Sequence, residues 1–293
     1  MSMKYHIPVL TCELIDNLNV RPGGQYIDCT FGEAGHSQAV LESTTPMPNV
    51  LAIDLDGDAI TLSRDSVSKF RDHLTLVNGN FKNLKNIAES NGFSFVDGVF
   101  FDLGLSSLQL EAGGRGFSFK SEDYLDMRFD RNQDLTAWEI VNNYSETEIS
   151  NIVETYGEER SSANIAKAIV RNRPIDTALH LSKVVRVAIR RRWSKIHPAT
   201  RTFQAIRMEV NSEIDNLELA LEQSGEILNS GGRLAVISYH SLEDRLVKNF
   251  LKDKDKGGSS FKIVNKKVIK PLRKEIQSNR RSRSARMRVA ERI

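Results

Sequence analysis

The chain has 293 residues, 40% hydrophobic and 27% charged, which is the composition of an ordinary globular protein. It contains no apolar run near the ~18 residues of a membrane span, and its start lacks the apolar core of a signal peptide, so we expect a cytoplasmic protein without membrane contact. Cys12 and Cys29 form no CxxC pair, and no Cys/His cluster has zinc-ligand spacing, which argues against disulfides and a bound metal.

The net charge of +3 hides two basic zones. Residues 262–293 hold 12 Lys or Arg against 2 acids, and residues 177–208 contain no acid and include Arg190, Arg191 and Arg192. Clustered cations favour a polyanionic partner because binding releases its counterions. The alternative interpretation, a solvated helix face and a basic tail, fits the charge pattern equally well.

The first half of the chain alternates apolar β-type runs with helical patterns, which predicts βαβ units and a parallel sheet. Strands are predicted at 25–29, 50–54, 74–77 and 96–102. Three of them carry an aspartate at their end or one residue before it, namely Asp28, Asp54 and Asp102. Because the carboxyl ends of parallel strands open onto the ligand crevice, we expect these carboxylates on one rim.

About 130 residues separate Asp102 from the next apolar strand, predicted at 233–238, which is far more than one crossover helix needs. Helical periodicity from 134 to 192, with a capping box at Ser145–Glu148, indicates an inserted helical domain. A long helix is predicted over 202–228, ending at Ser230–Gly232, and two closing strands, one of them antiparallel, over 261–269 and 285–293. The predicted domains are therefore 1–109 with 206–293, and 110–205 as an inserted loop plus helical substrate-recognition domain.

The loop from Asp28 to Ser37 follows a strand and precedes a helix, where small residues let a ligand approach the backbone. Alone it is equally consistent with a structural turn, but Asp54 at the end of the second strand is placed to bind the hydroxyls of a ribose. The pair indicates an adenosine cofactor. It does not by itself separate a nicotinamide dinucleotide from S-adenosylmethionine, although a rim of three acids and Glu33 suits a sulfonium better than a pyrophosphate.

Further candidates follow the third, fourth and fifth strands. Phe81 is placed to meet an adenine, or else is a core ring. Asp102 is placed to accept the N–H of a weakly nucleophilic base amine, or else caps a turn. Tyr239 is a candidate for stacking on an extruded base, and His240 for facing the same crevice, although a lone histidine is usually structural.

These motifs occur in one order along the chain and together closely resemble the bacterial ribosomal small-subunit RNA (cytosine-N4) methyltransferase H family, also called the MraW family. The segments that carry the resemblance are His6–Leu10, Asp28–Ser37, Asp102–Leu110, Arg115–Phe119, Leu125–Arg128, Tyr156–Arg160, His197–Ala205, Ile237–Arg245 and Arg281–Ala285.

The resemblance implies a class I α/β methyltransferase sheet, Rossmann-like, with an inserted all-helical domain. It also implies N4-methylation of a cytosine in the decoding centre (P-site region) of 16S rRNA within the small ribosomal subunit. The family's S-adenosylmethionine contacts fall on Ala34, Gly35, His36, Asp54, Phe81, Asp102 and Gln109. The chain departs from the family at Ala34, where two adjacent glycines usually precede the histidine.

Two rival functions stay open from the residues alone. One is a nicotinamide-dependent oxidoreductase, which requires the dinucleotide to bind more tightly than S-adenosylmethionine. The other is a non-enzymatic RNA-binding or assembly factor with a methyltransferase-like fold, for which Asp102→Ala leaves every cellular phenotype intact. The sequence leaves the oligomeric state open between monomer and homodimer.

Overall fold

The structure, a computed structural model, describes residues 8–111, 114–189, 196–256 and 260–293. Its chain divides into two compact units. We call residues 1–106 with 214–293 the sheet unit, and residues 107–213 the helical unit.

Seven strands form a single sheet in the sheet unit, in the order β3-β2-β1-β4-β5-β7-β6. Their bounds are β1 Gln25–Asp28, β2 Asn49–Asp54, β3 Leu74–Asn78, β4 Val96–Asp102, β5 Leu228–Ser238, β6 Phe261–Ile263 and β7 Arg286–Arg292. The pairs among β1 to β5 are parallel, and β7 runs antiparallel to both its neighbours. The predicted α/β class, with a Rossmann-like sheet, is confirmed. The strand order reverses between β1 and β4, which is where ligands bind in sheets of this type.

Helices cover both faces of this sheet. Those of the sheet unit are α1 Thr11–Leu18, α2 Gly35–Leu41, α3 Gly57–Ser63, α4 Leu84–Ser90, α11 Glu213–Ile227, which starts at the unit boundary, α12 Ser241–Lys256 and α13 Arg273–Ser278. Neighbouring strand residues point to opposite faces. Phe101 accordingly packs with α4, α11 and α12, whereas Phe100 packs with α1, α2 and α3. Burial of both faces explains why the strands are continuous apolar runs.

The helical unit contains α5 Ser107–Glu111, α6 Ala137–Asn143, α7 Glu146–Thr155, α8 Ser162–Arg171, α9 Ala178–Ala188 and α10 Thr200–Asn211. The predicted capping box at the start of α7 is confirmed. The Glu148 amide donates to Ser145 Oγ, and the Ser145 amide donates to the Glu148 carboxylate. This pair satisfies two backbone donors that the first helical turn leaves unpaired.

Three predicted boundaries are wrong. The single helix over 202–228 is two helices, because Ser212 adopts a left-handed φ of 48° between α10 and α11. The fifth strand begins at Leu228 and not at residue 233, and the predicted stop at Ser230–Gly232 lies inside it, beside a shift in register with β4. The strand predicted over 261–269 is regular only as β6, after which Ile269 forms an isolated bridge to Met287.

Among the helices in the described parts of the chain, none combines the length and the apolar character needed to cross a membrane.

Candidate active site

Three aspartates close neighbouring strands at one edge of the sheet. Asp28 ends β1, Asp54 ends β2 and Asp102 ends β4. In the parallel register Asp28 is level with Ala52 and Phe100, so the other two carboxylates lie two residues further along the same edge. We call this edge the acidic rim.

Asp28 is the buried member of the acidic rim, with 1% of its surface exposed. Its two carboxylate oxygens accept hydrogen bonds from the Thr30 amide at 3.0 Å and from Ser37 Oγ at 2.7 Å. Burial nevertheless raises the pKa of Asp28 to about 6, because these donors offset only part of the desolvation of the charge. Asp28 therefore fixes the turn between β1 and α2 and remains ionised at neutral pH.

Asp54 joins two loops across the acidic rim. One oxygen accepts the Gly32 amide at 2.7 Å and the other accepts the Asp56 amide at 2.8 Å. Burial, opposed by these two hydrogen bonds, raises the pKa of Asp54 to about 6. A carboxylate oxygen has two lone pairs, so each oxygen keeps capacity for a further donor such as a hydroxyl group.

The loop that enters α2 has an unusual backbone. Ala34 is fully buried and precedes the helix with φ of 69°, in the left-handed region that costs an L-residue roughly 1 to 2 kcal/mol. At Gly35 an added Cβ would lie 3.0 Å from the Pro8 ring, so Pro8 leaves no room for a larger side chain at this position. The segment that precedes α1 thus lies directly against the start of α2.

His36 connects that segment with the acidic rim. Its Nε2 lies 2.9 Å from the Val9 carbonyl oxygen, which can only accept, so Nε2 carries the hydrogen. Its Nδ1 then faces Asp102 Oδ2 at 3.5 Å. The imidazole is 6% exposed and packs edge-on to Phe100, which holds it in this orientation.

Asp102 is held from two sides by residues of the sheet unit. Its amide donates to Thr30 Oγ1 at 2.6 Å, and its Oδ1 accepts a hydrogen bond from the Tyr239 hydroxyl at 2.8 Å. Burial and the neighbouring Asp102 charge raise the pKa of Tyr239 well above its usual value, so the phenol stays protonated and donates. Gly104, with φ of +103°, gives the Tyr239 ring its space, because an added Cβ would lie 3.3 Å from that ring.

The Tyr239 hydroxyl is thus engaged with Asp102, and its ring packs against the core beneath α1 and α2. Stacking of Tyr239 on a base stays a prediction. His240, the next residue, precedes α12 and lies 2.9 Å from a carboxylate oxygen of Glu243 through its Nε2. The Glu243 amide approaches His240 Nδ1 at 3.4 Å, so both ring nitrogens face the same residue.

Glu243 is the residue of this region that the sequence patterns did not single out. It is 3% exposed, and its Oε2 accepts the Tyr239 amide at 2.9 Å. The signal was present in the sequence, because a Glu three residues after the position that precedes a helix is half of a capping box. Here His240 occupies the position that Ser or Thr usually takes.

Phe81 follows β3 and opens a 3-10 turn, Phe81–Asn83. Its ring packs edge-on to Phe101 with centroids 5.6 Å apart, and it is partly buried against the core. Asn78, at the end of β3, donates its side-chain amide to the carbonyl oxygen of Asp54. The end of β3, three residues before Phe81, is thus hydrogen-bonded to the end of β2, and the contact of Phe81 with an adenine stays a prediction.

Two sets of candidates remain, Gln109 and the arginines at positions 190–192. Gln109 is in α5 of the helical unit and is 9% exposed; nothing in the local pattern marked it, and only the family resemblance did. Arg190, Arg191 and Arg192 lie outside the described residues.

Comparison with known proteins agrees with the motif resemblance. Residues 3–293 match the model of the MraW methylase family. A Dehalococcoides mccartyi protein named ribosomal RNA small subunit methyltransferase H is 48% identical over 98% of this chain and 86% of its own length. Proteins of the same name from Fusobacterium nucleatum and Brevibacillus brevis are 44% and 42% identical, each over 99% of this chain and 97% and 98% of their own lengths.

Among solved structures, a putative rRNA-methylase from Clostridium thermocellum has a TM-score of 0.49 at 14% identity, with 99% of this chain and 100% of that chain covered.

Proposed function

Because this chain belongs to the MraW methylase family, we propose that it methylates the N4 amino group of one cytosine in the decoding centre (P-site region) of 16S rRNA, within the small ribosomal subunit. Its relatives carry the name ribosomal RNA small subunit methyltransferase H, which supports ribosomal RNA as the substrate. S-adenosylmethionine is the cofactor, and when bound it supplies a methyl group made electrophilic by its sulfonium.

The acidic rim fits this cationic group. Asp28 and Asp54 have pKa values of about 6, so both are ionised at neutral pH although burial penalises their charge. A cation beside them offsets that penalty, whereas a pyrophosphate would add to it. We assign Asp54 to the ribose hydroxyls, and Ala34, Gly35, His36, Phe81 and Gln109 to the other cofactor contacts.

The observation that carries the proposed reaction is the anchored carboxylate of Asp102. A cytosine amine is a poor nucleophile because its lone pair is delocalised into the ring. A carboxylate that accepts one of its N–H bonds localises the lone pair on nitrogen. It also takes up the proton that nitrogen releases when the N–C bond forms and the bond between the methyl group and sulfur breaks. The Tyr239 hydroxyl and the Thr30 side chain hold Asp102 in place, so little freedom is lost when the amine arrives.

The test is transfer of labelled methyl from S-adenosylmethionine to small subunits that lack the modification, followed by nucleoside analysis of the digested rRNA. We expect N4-methylcytidine from the wild-type protein and none from Asp102→Asn, which keeps the side-chain shape and loses the charge. Methyl label on another nucleoside, or no transfer under conditions where the cofactor binds, would refute the proposal. Retained transfer by Asp102→Asn would refute the role of Asp102.

The cofactor assignment has its own test. We expect Asp54→Ala to weaken S-adenosylmethionine binding by about 1 to 3 kcal/mol, the cost of leaving polar groups without their partner. Titration calorimetry measures this directly, and an unchanged affinity places the ribose elsewhere.

The helical unit is proposed as the substrate-recognition domain. Neutralising Arg190, Arg191 and Arg192 together should lower RNA affinity and flatten its dependence on salt, if these side chains meet phosphate. An unaltered salt dependence assigns them to a solvated face.

A further inference from the structure

The C-terminal part of the sheet unit carries a dense set of cations without partners. We call residues 262–283 the basic strip. Eight of its Lys and Arg side chains are exposed and have no ion pair or hydrogen bond among the residues that the structure describes: Lys262, Lys266, Lys267, Lys270, Arg273, Lys274, Arg280 and Arg283. The cations that follow differ, because Asp244 pairs with Arg286 and Arg288.

The basic strip is folded and is not the loose tail that the charge pattern also allowed. Ile269 exchanges two backbone hydrogen bonds with Met287 of β7. The Asn265 side chain accepts the Val289 amide, and Ser282 is fully buried. The cations therefore project from a fixed backbone, which reduces the entropy lost when an extended ligand binds.

One contact fixes the basic strip next to the acidic rim. Glu275, the only acid in the strip, accepts the Leu10 amide at 2.9 Å. Val9, the preceding residue, receives the His36 hydrogen bond, and His36 faces Asp102. Glu275 is also among the charges that raise the pKa of Tyr239, the partner of Asp102. The strip thus borders the end of the sheet where the acidic rim lies.

The position of the basic strip next to the acidic rim answers an electrostatic requirement of RNA binding. Carboxylates that favour a cationic cofactor repel the phosphates of an RNA that must bring a base to Asp102. A net charge of +3 for the whole protein provides little attraction, so the attraction has to be local. Unpaired cations next to the acidic rim supply it.

We propose that the basic strip is the surface on which this chain holds the phosphate backbone of its RNA substrate next to Asp102. The inference rests on the proposed function, in which the polyanion is ribosomal RNA. An anionic lipid surface is the less favourable partner, because interfacial binding requires an apolar face. Only two large apolar side chains of the strip, Val264 and Leu272, have more than about a third of their surface exposed.

The experiment compares two variants that each lose three positive charges. The test variant is Lys266→Gln, Lys270→Gln and Lys274→Gln. The control for total charge is Arg64→Gln, Lys69→Gln and Arg71→Gln, three exposed cations on the segment leading into β3, the opposite edge strand of the sheet. Two of them differ from the strip in being paired, Lys69 with Glu42 and Arg71 with Asp72. Affinity for an in-vitro 16S rRNA transcript is measured between about 50 and about 200 mM salt.

Each lost phosphate contact lowers the slope of log affinity against log salt by roughly one, so we expect the slope of the test variant to fall by about two to three. Its affinity at the lower salt should fall roughly tenfold or more, while the control stays near the wild type. Binding of S-adenosylmethionine should be unchanged in both variants. Equal losses in the two variants would overturn the proposal, because total charge and not this surface would then govern binding.

Methyl transfer to small subunits separates this proposal from the proposed function. If the wild type modifies the subunits and the test variant keeps the full salt slope, the basic strip is not the phosphate surface and the function stands. If the wild type transfers no methyl to any ribosomal RNA, the function fails and the proposal fails with it. Loss of binding to phosphatidylserine vesicles by the test variant, with RNA binding intact, would assign the strip to a lipid surface and overturn the proposal.

Discussion

Replacing Asp54 with asparagine should remove one pH-dependent part of the protein's stability, so the difference in stability between wild type and variant should change with pH in a predictable direction. The pKa of Asp54 is raised to about 6 in the folded protein, against roughly 3.9 in an unfolded chain. The folded state therefore binds this proton more tightly, and the stability that it provides at low pH is lost as the pH rises from about 4 to about 6. Asparagine does not titrate, so the variant lacks this component.

The magnitude follows from those two pKa values. Between about pH 5 and about pH 8, ionisation of Asp54 costs the folded state up to about 1.4 kcal/mol, and we expect about 1 because the side chain is only partly buried. Asparagine has one acceptor oxygen for the amides of Gly32 and Asp56, which adds a destabilisation of roughly 1 to 3 kcal/mol that does not vary with pH. The wild type should thus be the more stable protein, by a margin that shrinks as the pH rises.

Urea unfolding at constant ionic strength across this pH range measures the difference in the free energy of unfolding between wild type and variant, which we call the margin. The transition has to be followed with two probes, because a chain with two units need not unfold in one step. Asp65→Asn, at an exposed position, is the control for removing one negative charge. A margin that stays constant or grows with pH would show that burial does not penalise the charge of Asp54.

Three further outcomes are expected. Tyr239→Phe removes the hydrogen bond to Asp102 and should lower the rate of methyl transfer roughly 10- to 100-fold, with the pH profile moved to higher pH and S-adenosylmethionine affinity unchanged; an unmoved profile would make the tyrosine merely structural. Gly157→Ala places a Cβ 2.5 Å from the Val153 carbonyl oxygen and should destabilise the helical unit by ~2 to 4 kcal/mol, seen as faster hydrogen exchange in α7; unchanged protection would show that the end of this helix has room for a methyl group. Ser145→Ala removes the capping box of α7 and should cost about 1 kcal/mol in chemical unfolding, a loss that Ser145→Thr should largely avoid.

Local patterns predicted most of the sheet and several termini. The strand at 96–102 has the bounds predicted from its apolar run, and the capping box marks the first turn of α7. The break at Ser212 was missed because nothing in the periodicity of 202–228 announces a residue in the left-handed region. The start of β5 was also missed, because Gly231 looks like a helix stop although it lies within a strand.

The residues of the candidate site also differ in how far local sequence patterns predicted them. Asp28, Asp54 and Asp102 were found because a strand that ends on an acid is visible in a few consecutive residues, and a parallel sheet brings such ends together. Glu243 has a weaker sequence signal, since it is the third residue of a helix that a histidine and not a serine or threonine precedes. Gln109 left none, since a polar residue in a short helix has no distinguishing pattern.

The sequence by itself determined the α/β class, the aspartate at the end of each of three strands, and the excess of cations near the C-terminus, because these are properties of neighbouring residues. Only the tertiary structure decided that Tyr239 anchors Asp102, 137 residues away, and that Glu275 binds the Leu10 amide across 265 residues. Such contacts depend on how the strands are ordered in the sheet, and that order is set by the burial of both its faces and not by the residues on either side of the contact. The excess of cations can be counted in the sequence, but only the tertiary structure arranges them as a folded surface beside the acidic rim.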